Sequence, residues 1–281
     1  MKRLFSILLL STFTSLWAQN AHLTQVCTLP VNINESSGVI ANPDGTLWTN
    51  NDSGDKPQIY KIDTLGHLLK TLVLKGATAY DYEDITQDPE GNIYVCDCGN
   101  NFNSRQNLCI YKIAAADIKG NWDTVTPEVI KFRYPDQKAF PPSKSAMNFD
   151  CESIIIYNDS IFLFSKNRGE SDYCKRYSLP TEPGIYTATL LDSTKTRRWV
   201  TSAALSPDKK TLILLSENRM NVYTDFTGSD FFHGKHQEIH IPVTQKEGIA
   251  FKSNSEIYLT DELFRGFGGK LYYSNLSGLI H

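Results

Sequence analysis

Five stretches of the sequence follow one pattern, and this repeat constrains the fold more than any other feature of the chain. Each copy has a polar opening, a short apolar run, a tight turn rich in Pro, Asp, Asn, Gly or Ser, and a second apolar run that ends in a polar residue. This pattern is typical of a β-hairpin. The copies are ESSGVIANPDGTLWTNND from residue 35, YEDITQDPEGNIYVCD from 82, CESIIIYNDSIFLFSK from 151, TSAALSPDKKTLILLSE from 201 and KEGIAFKSNSEIYLTD from 246.

The register of the copies is nearly constant. Two further strand candidates follow each of the first four hairpins, such as QIYKID and HLLKTLVL in the first copy. Four strands per unit, repeated along the chain, predict a β-propeller. The same interval of 14 residues joins the opening of the first strand to the end of the second in four copies: Glu83 to Asp97, Glu152 to Lys166, Ala203 to Glu217 and Glu247 to Asp261.

We therefore expect an all-β fold, a five-bladed β-propeller of four-stranded antiparallel blades. The last copy is followed only by KLYYSNL, and the N-terminal LTQVCTLPVN is expected to pair beside it, because this closes the ring and leaves no open edges. Six blades are the alternative. The sixth would have to come from the interval 98–151, which contains no further hairpin and is interpreted as a loop.

The first 18 residues are expected to be a signal peptide, because two basic residues precede an apolar run and Ala18 offers a small residue for cleavage. The rest, 19–281, is expected to be one propeller domain, secreted or periplasmic and without a membrane span. With 28 basic and 31 acidic residues and no basic cluster, the chain is not expected to bind nucleic acid. Its cysteines favour disulfide bonds in an exported chain, and a soft-metal site at Cys96 and Cys98 is the alternative.

The polar openings meet at one place in a propeller. The first strand of each blade lines the central channel, and the second runs back beside it, so that the start of the first and the end of the second lie at the same end, the mouth. Carboxylates from separate blades therefore converge there. The residues expected in this ring are Glu35 or Ser37, Glu83, Glu152, Ser202 or Ser206, and Glu247.

Like charges buried a few ångströms apart either take up protons or hold a cation. Carboxylate and hydroxyl oxygens are the ligands that calcium prefers. We therefore expect Ca²⁺ on the channel axis. The alternative is that each glutamate accepts hydrogen bonds from backbone amides and only joins neighbouring blades.

The order of the openings resembles the five-bladed apyrases, calcium-activated nucleotidases that hydrolyse nucleoside di- and triphosphates. The resemblance lies in ESSGVI, YEDI, CESIII, TSAALSP and KEGIAF. The catalytic motifs match the family only in part. In the first blade, the family's acidic stretch corresponds to NNDSG, which keeps Asp52 but lacks the family's Arg; in the second, its Lys, Glu and Trp motif is replaced by CDCGNN. In the third blade, its paired arginines correspond to SKNRG, which keeps Lys166 and Arg168. The axial calcium ligands that the resemblance implies are Ser37, Glu83, Glu152, Ser202 and Glu247.

In an enzyme of this kind, Asp52 or Asp97 at the mouth is expected to orient or deprotonate the attacking water. Basic side chains at the mouth are expected to bind a phosphate or carboxylate group. The residues expected to bind the substrate are Lys166, Arg168, Glu217 and Asp261.

The function stays open between two classes. One is a calcium-dependent hydrolase of phosphoanhydride or other small ester substrates, with a lactonase-like ester hydrolase as an alternative. The other is a non-catalytic propeller in which calcium is structural and the mouth binds a glycan, peptide or protein. In each case we expect a monomer with a small-molecule or glycan ligand at the mouth.

Overall fold

The structure, a computed structural model, describes residues 19–197 and 199–280. The expected signal peptide, residues 1–18, lies outside the described residues. Almost all regular structure in the described chain is β-strand. Its helical segments are the five-residue α-helix Ala115–Lys119 and the 3₁₀ turns Lys144–Ala146 and Phe231–His233. No helix among these residues is long and apolar enough to cross a bilayer.

The strands form five sheets, which are the blades of a five-bladed β-propeller, as the repeat predicts. In each blade four strands run antiparallel from the channel outward. From the innermost strand outward, they are Ser36–Ala41, Leu47–Asn51, Gln58–Ile62 and Leu68–Leu74 in blade 1; Tyr82–Gln87, Ile93–Asp97, Cys109–Ile113 and Glu128–Arg133 in blade 2; Asp150–Tyr157, Ser160–Lys166, Tyr173–Pro180 and Thr189–Lys195 in blade 3; Ser202–Leu205, Leu212–Ser216, Arg219–Thr224 and Lys235–His240 in blade 4; and Lys246–Phe251, Glu256–Asp261, Lys270–Asn275 and Thr24–Thr28 in blade 5.

Three blades carry a fifth strand that the sequence did not predict. Each is a short segment that pairs in parallel with the outermost strand: Thr124–Val125 on blade 1, Gly184–Thr187 on blade 2 and Gln19–Asn20 on blade 4. The segment IYTATLL, residues 185–191, is thereby divided between blade 2 and the outer strand Thr189–Lys195 of blade 3. These additions cover sheet edges that would otherwise be open to other chains.

The N-terminal segment closes the ring as predicted, because Thr24–Thr28 pairs antiparallel with Lys270–Asn275. The hydrophobic core is divided into five clusters in the described chain, one at each interface between neighbouring blades. Between blades 5 and 1, for example, Leu47 and Leu271 belong to one cluster. The interval 98–151 contributes a strand to blade 1 but no further blade, so the six-bladed alternative is wrong.

Asp84 joins several blades from inside the channel. Its carboxylate accepts hydrogen bonds from the amide of Ile85 at 2.9 Å and from the amide of Ile154 in blade 3 at 2.9 Å. The hydroxyl of Ser202 in blade 4 lies 3.4 Å from it. Gly38 of blade 1 approaches so closely that a β-carbon there would lie 2.7 Å from Oδ1 of Asp84. One buried carboxylate therefore holds together the inner strands of three blades and packs against a fourth.

We expect Asp84→Ala to lower the free energy of unfolding by about 2–6 kcal/mol. The amides of Ile85 and Ile154 would lose their acceptor inside the channel, at about 1–3 kcal/mol for each buried donor left unpaired. Urea unfolding followed by circular dichroism measures the loss. Asp123→Ala is the control, because Asp123 is exposed on an outer loop. Equal stability of the two variants would contradict the role of Asp84.

Candidate functional site

The innermost strands are irregular at the residues that the repeat singled out. In blades 2, 3 and 5 the pairing shifts at Glu83, Glu152 and Glu247, so that each glutamate is the extra residue of a β-bulge. Blade 1 has a similar irregularity between Ser36 and Val39. A bulge re-aims the side chain of its extra residue, and bulges are common beside active sites. Here the bulges bring glutamates of separate blades into one electrostatic cluster at the mouth.

Two overlapping groups of carboxylates result. Glu83, Asp150 and Glu152 each offer an oxygen within 4.8 Å of the others, and so do Asp52, Asp81 and Glu83. Glu83 belongs to both groups. Calcium–oxygen bonds measure about 2.3–2.6 Å, so two ligands of one ion lie no more than about 5 Å apart. Either group is therefore compact enough to surround a single divalent cation.

Two cationic side chains of blade 3 already bind the first group. Nζ of Lys166 lies 2.8 Å from Oε2 of Glu152. Arg168 donates from Nε to Asp150 at 2.6 Å and from Nη2 to Glu152 at 2.9 Å. Burial opposes the charge on Lys166, but Glu152 and Glu247 outweigh burial and raise the pKa of this lysine. Lys166 and Arg168, two of the four residues expected to bind substrate, are therefore counterions of the acidic ring, and Lys166 contacts Glu152, one of the expected calcium ligands.

The second group, Asp52, Asp81 and Glu83, accepts fewer hydrogen bonds than the first. Among the described residues, none donates a hydrogen bond to the carboxylate of Glu83, and Asp52 accepts one only from the amide of Ser53. Gly99 lies directly against this group, since a β-carbon there would overlap the carboxylates of both Glu83 and Asp81. A buried carboxylate without a donor is costly unless it is protonated or bound to a cation. The residues present thus fit a metal ion best at Asp52, Asp81 and Glu83.

Burial raises the pKa values of several carboxyls at the mouth. The pKa of Asp52 rises to about 6, that of Asp150 to about 7 and that of Glu262 to about 8. Burial and neighbouring carboxylates raise the pKa values of Glu83 and Glu247 well above the ordinary range. Oε2 of Glu247 is also buried without a hydrogen-bond partner. Without a further positive charge, the mouth therefore holds protons on some of these groups at neutral pH.

Two predicted site residues have structural bonds instead. Asp97 pairs with Nη2 of Arg105 at 2.8 Å and accepts the amide of Asp81 at 3.1 Å. Asp261 accepts the amide of Lys270 and the hydroxyl of Tyr272, both at 2.9 Å. Carboxylates with such bonds position the loops that follow the second strands. The geometry therefore favours Asp52 over Asp97 as the carboxylate beside an attacking water.

The remaining predicted residues are dispersed. Ser37 is buried in the inner strand of blade 1. Ser202 is also buried, but its hydroxyl contacts Asp84. Glu217 is exposed and lines a separate cavity between blades 3 and 4. The ring expected from the sequence is thus divided between the glutamates at the mouth and a serine beside Asp84.

Sequence reasoning missed several acidic residues of the mouth. Asp81 and Asp150 each precede a bulged glutamate by two residues, in DYED and FDCES, and these paired acids were the available signal. Glu262 and Trp199 lie in loops outside the repeat copies, so no regular spacing in the sequence indicated that they would lie at the mouth.

The cysteines pair less than expected. The structure places the sulfur atoms of Cys96 and Cys98 at bonding distance, with their Cα atoms 5.2 Å apart. Cys151 lies beside this pair. Cys27, Cys109, Cys151 and Cys174 are free thiols. The sequence did not specify this pairing, and disulfide bonding of the protein in solution stays a prediction.

Comparison with known proteins shows similarity in fold. No protein-family model and no curated protein sequence matches the chain. The PQQ-bound aldose sugar dehydrogenase of Streptomyces coelicolor is 11% identical, with a TM-score of 0.50 over 92% of this chain and 99% of that one. A gluconolactonase of Xanthomonas campestris is 11% identical, with a TM-score of 0.51 over 91% and 89%. A protein provisionally assigned as a gluconolactonase is 8% identical, with a TM-score of 0.52 over 91% and 92%.

The resemblance to apyrases is therefore wrong. The similar structures are gluconolactonase-like and sugar dehydrogenase propellers, and no family model or curated sequence supports an apyrase. The physical reason lies in the shared motifs. A polar residue at the start of each channel strand suits a propeller of any function, because these strand ends meet at the mouth. The short openings consequently identify the fold and do not identify the family.

The raised pKa values predict how the stability of the metal-free protein depends on pH. Between about pH 4 and pH 8 the folded protein keeps protons on buried carboxyls that the unfolded chain has lost. Because the folded state then binds more protons, the free energy of unfolding falls as the pH rises, by about 1.4 kcal/mol per pH unit for each such proton. We expect the urea midpoint in EDTA to be lower at about pH 8 than at about pH 5.5.

Glu83→Gln should make this dependence shallower, because it removes one carboxyl whose pKa is raised. Glu90→Gln, at an exposed turn, should leave it unchanged. A stability that rises across this pH range would contradict the burial of ionisable carboxyls at the mouth.

Proposed function

We propose that the protein is a divalent-cation-dependent hydrolase of lactones or other small esters, with its site at the mouth of the channel. The observation that carries this proposal is the carboxylate of Glu83, which belongs to a largely buried residue, accepts no hydrogen bond from the described residues and converges with Asp52 and Asp81. Oxygen-only ligands favour a hard cation, and calcium is the first to test.

The charges at the mouth support a cation beside Glu83. Six carboxylates converge at the mouth, and two cationic side chains of blade 3, Lys166 and Arg168, pair with two of them. The six are Asp52, Asp81, Glu83, Asp150, Glu152 and Glu247. Four negative charges are left when all six are ionised, and one divalent ion would balance two of them while protons balance the others. Both oxygens of Glu152 already accept hydrogen bonds, whereas Asp52 and Asp81 are less engaged. The ion would therefore be held by Glu83 and Asp81, with Asp52 within reach.

A bound divalent cation would polarise a substrate carbonyl as a Lewis acid. The residues of the chain supply the rest of the chemistry. Asp52 is only partly buried, and one of its oxygens has no donor among the described residues, so it is placed to orient water and accept its proton. Lys166 and Arg168 fix Glu152 and Asp150, which keeps the neighbouring acidic wall in one geometry.

Two of the structural neighbours are described as gluconolactonases, which makes lactones the first substrates to test. This similarity concerns the fold, so the assignment rests on the mouth and on the assay. Export and a monomeric state stay predictions from the sequence.

The second candidate is a non-catalytic propeller in which the cation joins blades. It is favoured by the fact that Asp52 lies after the second strand of blade 1, whereas Asp81 and Glu83 belong to the start of blade 2. An ion among them would crosslink two blades. The two candidates share the cation site and differ only in turnover.

Cation binding is tested by calorimetry on the protein freed of metal with a chelator. We expect one Ca²⁺ per chain, and we expect Glu83→Gln and Asp81→Asn to weaken binding at least about tenfold, because each removes a charged ligand. Asp208→Asn, in an exposed turn at the other end of the blades, is the control. Unchanged affinity in the Glu83 variant would exclude this site.

Hydrolysis is tested with a panel of lactones and aryl esters, using a nucleoside diphosphate as a comparison substrate. We expect lactone hydrolysis that EDTA abolishes and Ca²⁺ restores, and a loss of about 10²–10⁴-fold in kcat for Asp52→Asn, the usual contribution of a general base. Circular dichroism confirms that the variant is folded. Calcium binding without turnover of any lactone or ester would favour the non-catalytic candidate.

A further inference from the structure

A cavity of about 470 Å³ lies between blades 3 and 4. Its walls come from the loop after the second strand of blade 3, the connection into blade 4, the turn after the second strand of blade 4, and Val243 in the connection into blade 5. All four are at the mouth end, because second strands end there and first strands begin there. The volume is within the range of small-molecule sites, about 300–1,000 Å³.

Arg168 separates this cavity from the carboxylates. Its guanidinium carbon lies 4.9 Å from the ring centroid of Trp199, which lines the cavity and is 49% exposed. The same guanidinium donates hydrogen bonds to Asp150 and Glu152. Its Nη1 has no acceptor among the described residues. A ligand packed on Trp199 therefore lies one side chain away from the acidic ring.

The lining of the cavity is unfavourable to anions and to acyl chains. Glu217 and Asp172 contribute carboxylates, and the cation in the lining, Arg197, lies 3.6 Å from Glu238. An anionic ligand would meet net negative charge. Large apolar side chains are few in this lining, and Trp199 is the main one. A bound hydrocarbon chain would therefore displace water from the polar groups of the lining without offering them hydrogen bonds, which is unfavourable.

The same lining suits a neutral ring that carries several hydroxyls. An aromatic face packs against the C–H face of such a ring, and planar carboxylate and amide groups bind its hydroxyls. Glu217 has no hydrogen-bond partner among the described residues, and the side-chain NH₂ of Asn218 donates to no described residue. Both side chains belong to the turn after the second strand of blade 4, and both line the same cavity as Trp199.

We propose that this cavity is a subsite for the polyhydroxylated ring of a sugar-derived lactone, a substrate class that rests on the proposed hydrolase function. The ring packs on Trp199, its hydroxyls bind Glu217 and Asn218, and its carbonyl is directed toward Nη1 of Arg168 at the edge of the acidic ring. A plain lactone without hydroxyls keeps the contact with Trp199 but lacks those with Glu217 and Asn218.

The test compares D-glucono-1,5-lactone with δ-valerolactone in the metal-loaded protein. We expect Glu217→Ala to lower kcat/KM for gluconolactone by at least about tenfold, the usual size of a lost pocket contact, and that for valerolactone by less than about twofold. Trp199→Ala should lower kcat/KM for both lactones, and Trp199→Phe should restore most of that loss. Trp122→Ala removes an exposed Trp from an outer loop and is the matched control.

Binding is measured separately, so that failure of the subsite is distinguished from failure of the hydrolase. The probe is D-glucono-1,5-lactam, which keeps the ring and hydroxyls and resists hydrolysis. Lactam binding that Trp199→Ala and Glu217→Gln weaken supports the subsite even where neither lactone is hydrolysed. Absence of lactam binding to the native chain, or equal loss for both lactones in Glu217→Ala, would overturn it.

Discussion

The burial of like charges at one end of the channel is the constraint on which the rest of the site depends. A propeller of five blades brings its innermost strands close around one axis, and the bulges place Glu83, Glu152 and Glu247 where those strands begin. With Asp150 they form a group that two cationic side chains only partly neutralise. Protons or a divalent cation must compensate the remainder, because unpaired carboxylates are unstable away from water.

The two means of compensation have different consequences. Protons compensate at low pH and leave the carboxyls neutral, without affinity for a metal. A divalent cation compensates at neutral pH and requires the same groups to be ionised, so protons and the cation compete for one site. Lys166 cannot serve as the sole compensation, since its ammonium is already 2.8 Å from Glu152. These carboxylates therefore lower the free energy of unfolding of the metal-free protein, a cost that is common at functional sites.

The sequence predicted the parts of the fold that depend on local chemistry. Hairpin turns, strand alternation and a constant register imply five blades, and the unpaired last strand implies closure by the N-terminal segment. Convergence of Glu83 and Glu152 follows from the same register. Spacing could not distinguish a substrate-binding Lys166 from a counterion, because Lys166 lies opposite Asp150 in either case. Nor could it show the added edge strands, which depend on contacts between distant segments.

Glu83 and Asp84 show why neighbouring acidic residues require a structure to be told apart. Both are fully buried carboxyls with raised pKa values, and they are adjacent in YEDI. Asp84 accepts hydrogen bonds from two backbone amides and lies beside a hydroxyl, so its carboxyl group is stabilised by polar groups of the blades that it joins. Glu83 accepts no hydrogen bond from the described residues. A fold that needed only adhesion between blades would be served by Asp84 alone, and Glu83, with no such hydrogen bonds, is therefore the residue at which a ligand is first to be tested.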